Sequence, residues 1–117
     1  MTRTVEFRQG AIELLILKTL SWGPQHGFSI ARWIQDTTDD VLRLEEGSLY
    51  PSLHRMEDKG WVRAEWGTSE NNRRAKFYEL TAKGRRQLTS ETGDWWRYAE
   101  AVGKVLVSTR KPVAVTP

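Results

Sequence analysis

Few side chains in this sequence could carry out acid–base or metal chemistry. The 117 residues include two histidines, His26 and His54, and no cysteine. Neither histidine has a neighbour that would complete a base–nucleophile pair, and the two lack the spacing of metal ligands. Neither a phosphate-binding glycine loop nor a dinucleotide-binding glycine pattern is present. These residues predict a protein that is not an enzyme and that uses no metal or cofactor.

Basic side chains are concentrated in one part of the chain. The net charge of +3, from 18 basic and 15 acidic residues, is a weak overall bias. Between residues 73 and 86, however, Glu79 is the single acidic residue among six basic ones: Arg73, Arg74, Lys76, Lys83, Arg85 and Arg86. Such clustering suits binding to a phosphate backbone. A solvated surface patch has the same composition, so charge alone leaves both interpretations open.

A second set of polar side chains lies on a predicted helix at residues 47–60. Leu49, Leu53 and Met56 recur at i, i+4 and i+7, which predicts one buried stripe. We expect Ser48 to be the N-cap and Pro51 to fall in the first turn, with Gly60 just past the C-terminal end. The opposite face then carries small, polar and hydrogen-bonding groups: Gly47, Ser48, Pro51, His54, Arg55 and Asp58, with Tyr50 on its flank.

The elements that position these groups follow from hydrophobic periodicity and turn signals. We predict helices at residues 5–21, 27–37, 47–60 and 81–107, a minor strand at 41–44, and a hairpin of strands at 61–66 and 75–80. This order predicts an α+β, mainly helical fold: a winged helix-turn-helix domain at residues 5–80, a C-terminal dimerisation helix at 81–107 and a flexible tail at 108–117. The apolar run at 11–20 contains Glu13 and Lys18 and is too short to span a bilayer. With no signal-peptide pattern, the sequence predicts a soluble cytoplasmic protein.

The first and last helices are more apolar than one small core can cover. In the last helix, Leu88, Trp95 and Val102 repeat every seven residues, and glycines at 84, 93 and 103 weaken it intrinsically. Gly93 is a candidate for a bend. We therefore expect a homodimer, with an interface formed by Leu14, Leu17, Leu88, Trp95, Tyr98, Ala99, Val102, Val105 and Leu106.

This order of elements also predicts what the polar helix contacts. In helix-turn-helix proteins the second helix of the motif enters the DNA major groove, and residues near its N-terminus touch base edges. The expected contacts to double-stranded DNA are Ser48, Tyr50, Pro51, His54 and Arg55 on the helix, and Arg73, Arg74 and Lys76 on the hairpin. The alternative is a winged-helix module that binds another protein instead of DNA.

Three blocks of sequence resemble the PadR family of bacterial regulators. They are the Gly-Pro-Gln-His-Gly-Phe stretch at residues 23–28, the helix at 46–60 and the segment at 72–84. The resemblance spans roughly residues 10–90 and implies a homodimeric repressor of the short subgroup, acting on a palindromic operator. Phe28 stands where family members often have tyrosine, so we do not expect it to contact DNA.

The resemblance also raises a ligand hypothesis. Some short members of the family bind flat aromatic compounds between the two subunits, next to tryptophan. Trp95 and Trp96 on the last helix are the candidates for such a site. The competing interpretation, which we favour, is that these two side chains anchor the dimer core.

Overall fold

Four helices and one small antiparallel sheet account for the regular structure of the described part of the chain. A computed structural model describes residues 3–5, 7–8 and 10–114. In that part of the chain the elements are α1 (Ala11–Leu20), β1 (Gln25–His26), α2 (Gly27–Thr37), α3 (Glu46–Asp58), β2 (Val62–Thr68), β3 (Arg74–Leu80) and α4 (Ala82–Val107). The sheet order is β1-β3-β2, and both pairings are antiparallel. The predicted mixed, mainly helical fold with a long C-terminal helix is confirmed.

One core holds α1, α2, α3 and the hairpin together. Its most deeply buried side chains are Ile16, Leu17, Leu20, Ile30, Ile34, Leu49, Leu53, Met56 and Val62. The stripe predicted on the third helix is confirmed, because Leu49, Leu53 and Met56 are all buried in this core. Burial of that stripe orients α3, so its opposite face must lie at the surface.

The first helix is shorter than its apolar pattern predicts. It begins at Ala11, because Gly10 adopts a left-handed conformation with φ of +82° that no helix can continue through. Before it, residues 3–5 and 7–8 have no regular structure, and the Val5 amide donates a hydrogen bond to the Val41 carbonyl at 2.9 Å. The prediction of helix from residue 5 was therefore wrong; residues 6 and 9 of that segment lie outside the described part.

The third strand of the sheet is not the one that the sequence indicated. Residues 41–44 form no strand; the Leu42 amide is bonded instead to the Thr38 hydroxyl at 3.1 Å, and Leu44 is buried in the core. The strand is Gln25–His26, which pairs with β3 ahead of α2. A two-residue strand has no periodicity of its own and exists only through its distant partner.

The third helix begins earlier than predicted. Its N-cap is Glu45, whose carbonyl accepts from the amides of both Ser48 and Leu49, so Ser48 lies inside the first turn and is not the cap. Pro51 consequently lies in the second turn, inside the helix. Having no N–H, it leaves the Gly47 carbonyl without its usual partner. Gly47 is exposed, so water can satisfy that carbonyl.

The end of α3 is closed by the predicted glycine. Gly60 has φ of +77°. Its amide donates to the Glu57 carbonyl at 3.0 Å, and the Trp61 amide donates to the Met56 carbonyl at 2.9 Å. These two bonds form a Schellman motif, which satisfies the last carbonyls of the helix and turns the chain directly into β2.

The start of α4 is fastened to this same turn. Thr81 caps α4, since its hydroxyl accepts from the Gly84 amide at 3.0 Å, and it also donates to the Gly60 carbonyl at 2.6 Å. The Thr81 amide donates to the Trp61 carbonyl at 3.0 Å. A Cβ on Gly84 would lie 2.0 Å from that carbonyl oxygen. Glycine at position 84 therefore allows the close approach of α4 to the end of α3.

The second half of α4 extends beyond the core. The helix has 26 residues, about 39 Å of length, and its helical hydrogen bonding continues through Gly93, where a bend stays a prediction. Leu88 packs against the core, whereas Val105 and Leu106 are 76% and 77% exposed. The radius of gyration, 17.9 Å, exceeds the roughly 13 Å of a compact domain of this size. The division into domains and the flexibility of residues 108–117, of which 115–117 lie outside the described part, stay predictions.

The glycine contact predicts opposite effects for two substitutions in α4. Gly84→Ala should destabilise the protein by about 1–3 kcal/mol, because the methyl group meets a backbone carbonyl that cannot move aside. Gly93→Ala is the matched control: a Cβ there meets nothing within 4 Å, so alanine should stabilise by up to about 1 kcal/mol through helix propensity. Urea unfolding followed by circular dichroism measures both. Equal or greater stability of the Gly84 variant would contradict the close approach.

Candidate nucleic-acid interface

The outer face of α3 is open to solvent. The five residues predicted to read DNA from this helix are all exposed: Ser48, Tyr50, Pro51, His54 and Arg55. His54 Nε2 lies 3.6 Å from Asp58 Oδ2, one turn further along the helix. Small and hydrogen-bonding groups therefore occupy the face opposite the buried stripe.

Tyr50 packs against α2 as well as facing solvent. A Cβ on Gly27 would lie 2.7 Å from the Tyr50 hydroxyl and 2.8 Å from its ring, so glycine at position 27 allows the two helices to approach. The side chain is nevertheless 46% exposed. Tyr50 thus fixes the angle of α3 on α2 with one part of its ring and leaves another part free for contact.

His26 has a structural position at the start of α2. Its Nδ1 accepts from the Ser29 amide at 3.3 Å, which caps the helix. Its ring stacks on Phe28 with centroids 6.4 Å apart and meets the Phe77 ring edge-on at 5.5 Å. These contacts tie α2 to the sheet, and they show a structural role for His26 that sequence patterns did not indicate.

Arg55 differs from the other four predicted readers because it turns toward α1. Its Nη2 donates to the Ser52 hydroxyl at 3.0 Å, and its Nε lies 3.5 Å from Glu13 Oε1. Lys59 Nζ lies 3.5 Å from the other oxygen of the same carboxylate. Glu13 therefore holds the C-terminal half of α3 on α1. That Arg55 contacts DNA stays a prediction. Its bonds to Ser52 and Glu13 would compete with such a contact.

A second carboxylate lies beside this ion-pair cluster. Burial raises the pKa of Glu91 on α4; a hydrogen bond from Gln87 opposes the shift, and the charge of Glu13 adds to it. Among the described residues, Glu91 Oε2 is a buried oxygen without a hydrogen-bond partner. Ionisation of Glu91 is therefore less favourable in the folded chain than for an ordinary, solvated glutamate.

The hairpin of β2 and β3 forms a wing beside α3. Its tip is closed by a bond from the Ser69 amide to the Arg73 carbonyl at 2.8 Å. Arg73 and Arg74 are both exposed, and the Arg74 guanidinium lies 4.7 Å from the centroid of the Trp66 ring. Lys76 lies 3.8 Å from Glu57 of α3. The two wing arginines are thus presented to solvent, whereas Lys76 links the wing to the helix.

An open groove of about 980 Å³ separates α2 from the wing. The side chains that decide its character are Phe28, Arg32, Tyr50, Trp66, Arg73 and Arg74. Trp66 is the large apolar side chain of this groove that lies on the wing. It lies on the same sheet face as Val62 and Ala64, but beyond the part of β2 that the core covers, and is 58% exposed. Strand β2 is longer than the part that the core covers. This difference in length is the signal from which an exposed Trp66 could have been predicted.

A second, apolar groove of about 800 Å³ lies between the N-terminal segment, α1 and α4. Four of the residues predicted at an interface or ligand site line it: Leu14, Leu88, Trp95 and Trp96. Tyr98, Val102, Val105 and Leu106 are exposed further along α4, and Ala99 is half-buried. Leu17 is 0% exposed within the single chain, so the expectation that it contacts a partner was wrong. The apolar all-round pattern of α1 concealed which side faces the chain's own core.

The described residues contain neither a membrane-spanning helix nor a cluster of metal ligands. No helix in residues 3–5, 7–8 and 10–114 is long and apolar enough to cross a membrane. In the same part of the chain, no group of three or more histidine, aspartate or glutamate side chains could hold a metal ion.

Together, the exposed face of α3, its packing on α2 and the adjacent wing define a winged helix-turn-helix protein of the DNA-binding class. Residues 16–90 match the transcriptional regulator PadR-like family. The chain belongs to this family of DNA-binding transcriptional regulators.

Individual relatives agree with this assignment. The chain is 32% identical over 87 residues to the transcriptional regulator Rv3488 of Mycobacterium tuberculosis, covering 74% of this chain and 77% of the relative. It is similar in structure to a PadR family regulator from Clostridium difficile, with a TM-score of 0.72, 27% identity and 83% and 99% of the two chains covered. A PadR family regulator from Eggerthella lenta gives a TM-score of 0.73 at 27% identity, covering 86% of each chain.

The raised pKa of Glu91 predicts a pH-dependent difference in stability. Because the folded pKa lies above the ordinary value, ionisation of Glu91 opposes folding, and this loss of stability develops as pH rises through the folded pKa. Glu91→Gln cannot ionise, so it should be more stable than the parent at pH 7. The difference should disappear below about pH 4, where the parent carboxyl is protonated in both states.

Thermal unfolding at a series of pH values measures this difference. Glu100→Gln, on the exposed side of the same helix, is the control and should change stability little at any pH. A Glu91→Gln variant with the parent's melting temperature at pH 7 would contradict the raised pKa of Glu91.

Proposed function

We propose that the protein is a homodimeric repressor that binds a palindromic operator, with α3 of each subunit in the major groove. The observation that carries the proposal is the exposed, polar outer face of α3 next to two arginines on the wing. An α-helix fits the major groove, which is about 12 Å wide. Ser48, Tyr50, Pro51 and His54 would face the bases, and Arg73 and Arg74 the adjacent backbone.

The dimer is proposed from the apolar surface that the chain leaves uncovered. Beyond Trp95, α4 carries Tyr98, Val102, Val105 and Leu106 on its exposed surface. Contiguous exposed apolar surface of this kind marks association sites. A second copy of the chain would cover α4 and the adjacent Leu14 of α1. The two copies of α3 would then meet half-sites about one helical turn apart, roughly 34–36 Å.

An effector site is proposed at the apolar groove of about 800 Å³ between α1 and α4. This volume lies within the range of about 300–1,000 Å³ that small-molecule sites occupy. Trp95 and Trp96 would offer flat apolar faces to a planar aromatic compound, whose binding would release the operator. The competing assignment is that both tryptophans serve only to anchor the dimer.

Removal of the wing arginines tests the DNA-binding proposal. Arg73→Ala/Arg74→Ala should weaken binding to all DNA sequences and lower the salt-dependence slope by about two, one unit for each lost phosphate contact. Gel shifts of the DNA flanking the gene, at several salt concentrations, measure both quantities. Arg110→Ala/Lys111→Ala removes the same charge from the exposed tail and is the control. An unchanged slope in the wing variant would remove these arginines from the interface.

Base reading by α3 is tested separately from phosphate binding. His54→Ala should cost about 1–3 kcal/mol of operator affinity while binding to unrelated DNA stays unchanged, because only a base contact distinguishes sequences. Tyr50→Phe keeps the ring that packs on Gly27 and removes only the hydroxyl. Competition gel shifts with operator and scrambled duplexes measure the ratio. Loss of both kinds of binding in equal proportion would contradict sequence reading.

The dimer is tested through Trp95. Trp95→Ala should increase the dimer dissociation constant at least tenfold, because it removes a large apolar side chain from the centre of the proposed interface. Trp22→Ala, at a 70% exposed site after α1, is the control. Sedimentation equilibrium at micromolar concentration separates the two, and a Trp95 variant as dimeric as the control would exclude this interface.

The effector proposal has its own measurement. Planar aromatic compounds should quench the tryptophan fluorescence of the parent protein, and Trp96→Ala should reduce both the quenching and the affinity. If a broad panel of such compounds leaves the fluorescence unchanged, the groove serves the dimer alone.

A further inference from the structure

The wing carries a large aromatic side chain that lies mostly outside the core. Trp66 is 58% exposed, although it lies on the sheet face that further along buries Val62. On β3, Lys76 is its direct partner, and Arg74 is the next residue on the same face. The indole therefore stands past the end of the core, on the side of the wing that faces α2.

Arg74 lies over this indole. Its guanidinium carbon is 4.7 Å from the ring centroid, which is within cation–π distance. Such a contact orients the guanidinium and lowers the entropy lost when it binds. A salt bridge would also orient it but would neutralise its charge. Stacking on Trp66 thus leaves the full positive charge of Arg74 available to an anion.

The charges around the groove between α2 and the wing favour a polyanion. Arg32 is paired with Asp36 at 3.2 Å, which cancels one positive charge. Among the described residues, no carboxylate lies within ion-pair distance of Arg73 or Arg74, and Glu70 is the remaining acidic residue in the lining. The wing side of the groove is therefore positive, and an aromatic plane lies within it.

We propose that Trp66 and Arg74 form a contact site for the sugar–phosphate backbone of one DNA strand. The exposed part of the indole, which Arg74 does not cover, packs against a deoxyribose in the minor groove beside the α3 half-site. Arg74, held on the ring, binds the neighbouring phosphate. The site deepens the DNA-binding function proposed above and rests on it. Its occupant is duplex DNA, because the groove is continuous with Tyr50 on α3.

Hydroxyl-radical footprinting tests this site directly, since the radical attacks deoxyribose and its protection reports sugar contacts. On an end-labelled duplex bound by the parent protein, we expect protected sugars flanking each α3 half-site. Trp66→Ala should lose the flanking protection, keep the central protection and bind about tenfold more weakly. Trp66→Phe, which keeps an aromatic plane, should restore most of both.

Trp22→Ala is the matched control for the tryptophan substitution. Trp22 is also exposed and also lies under a cation, with Lys18 Nζ 4.8 Å from its ring centroid, but it does not line the groove. Its footprint and affinity should equal those of the parent.

A second measurement does not depend on the stability of the variant. DNA should quench less tryptophan fluorescence in Trp66→Phe than in the parent.

The outcomes separate this inference from the function on which it rests. A parent protein that gives no footprint on any flanking DNA overturns both. A parent footprint that Trp66→Ala leaves unchanged in pattern and affinity overturns the backbone site alone and leaves α3 as the reader. Loss of central and flanking protection together in a folded Trp66→Ala also overturns it, because the indole would then act through the position of α3.

Discussion

The carbonyl of Trp61 is the point at which α3, the sheet and α4 meet. It follows the Schellman turn that ends α3, and it accepts a hydrogen bond from the Thr81 amide. Gly84 lies so close to it that no side chain fits between them. Because Trp61 also leads directly into β2, any movement of α4 relative to α3 must disturb the sheet as well. The direction of α4 is therefore determined at its first turn.

The remaining contacts of α3 leave Ser48, Pro51 and His54 on its outer face exposed. Tyr50 packs on Gly27 of α2, Glu13 of α1 lies against the basic side chains near its C-terminal end, and Lys76 of the wing reaches Glu57. Helix α3 is thus held from three directions by polar or close backbone contacts, in addition to its buried stripe. A helix fixed in this way loses little conformational entropy on binding, which favours affinity and selectivity.

Local periodicity was sufficient to predict α2, the hairpin, the long helix and the buried stripe of α3, because each is encoded within its own residues. What failed depended on distant partners or on one backbone angle. The strand at Gln25–His26 exists only by pairing with Phe77 and Tyr78. The start of α1 is set by the positive φ of Gly10, which the apolar pattern does not reveal.

The candidate site shows the same division between local and distant information. Helical spacing identified the exposed residues of α3, such as His54, since they lie opposite the buried stripe. The engagement of Arg55 with Glu13 could not be read from sequence, because the two are 42 positions apart and meet only when α1 packs on α3. Leu17 was misassigned for a related reason: an almost wholly apolar helix does not indicate which side faces its own core.

The exposed C-terminal half of α4 also bears on how related regulators in one cell would avoid forming mixed dimers. Its outer residues, such as Val105 and Leu106, make no part of the chain's own core. They can therefore change over generations without loss of the fold, unlike Thr81 or Gly84 at the other end of the helix. In the proposed dimer, this is the surface where self-recognition can diverge between paralogues, since a mismatched partner would leave apolar side chains uncovered. The residues proposed to determine pairing, on α4, and those proposed to read DNA, on α3, are thus on different helices, so the two can diverge independently.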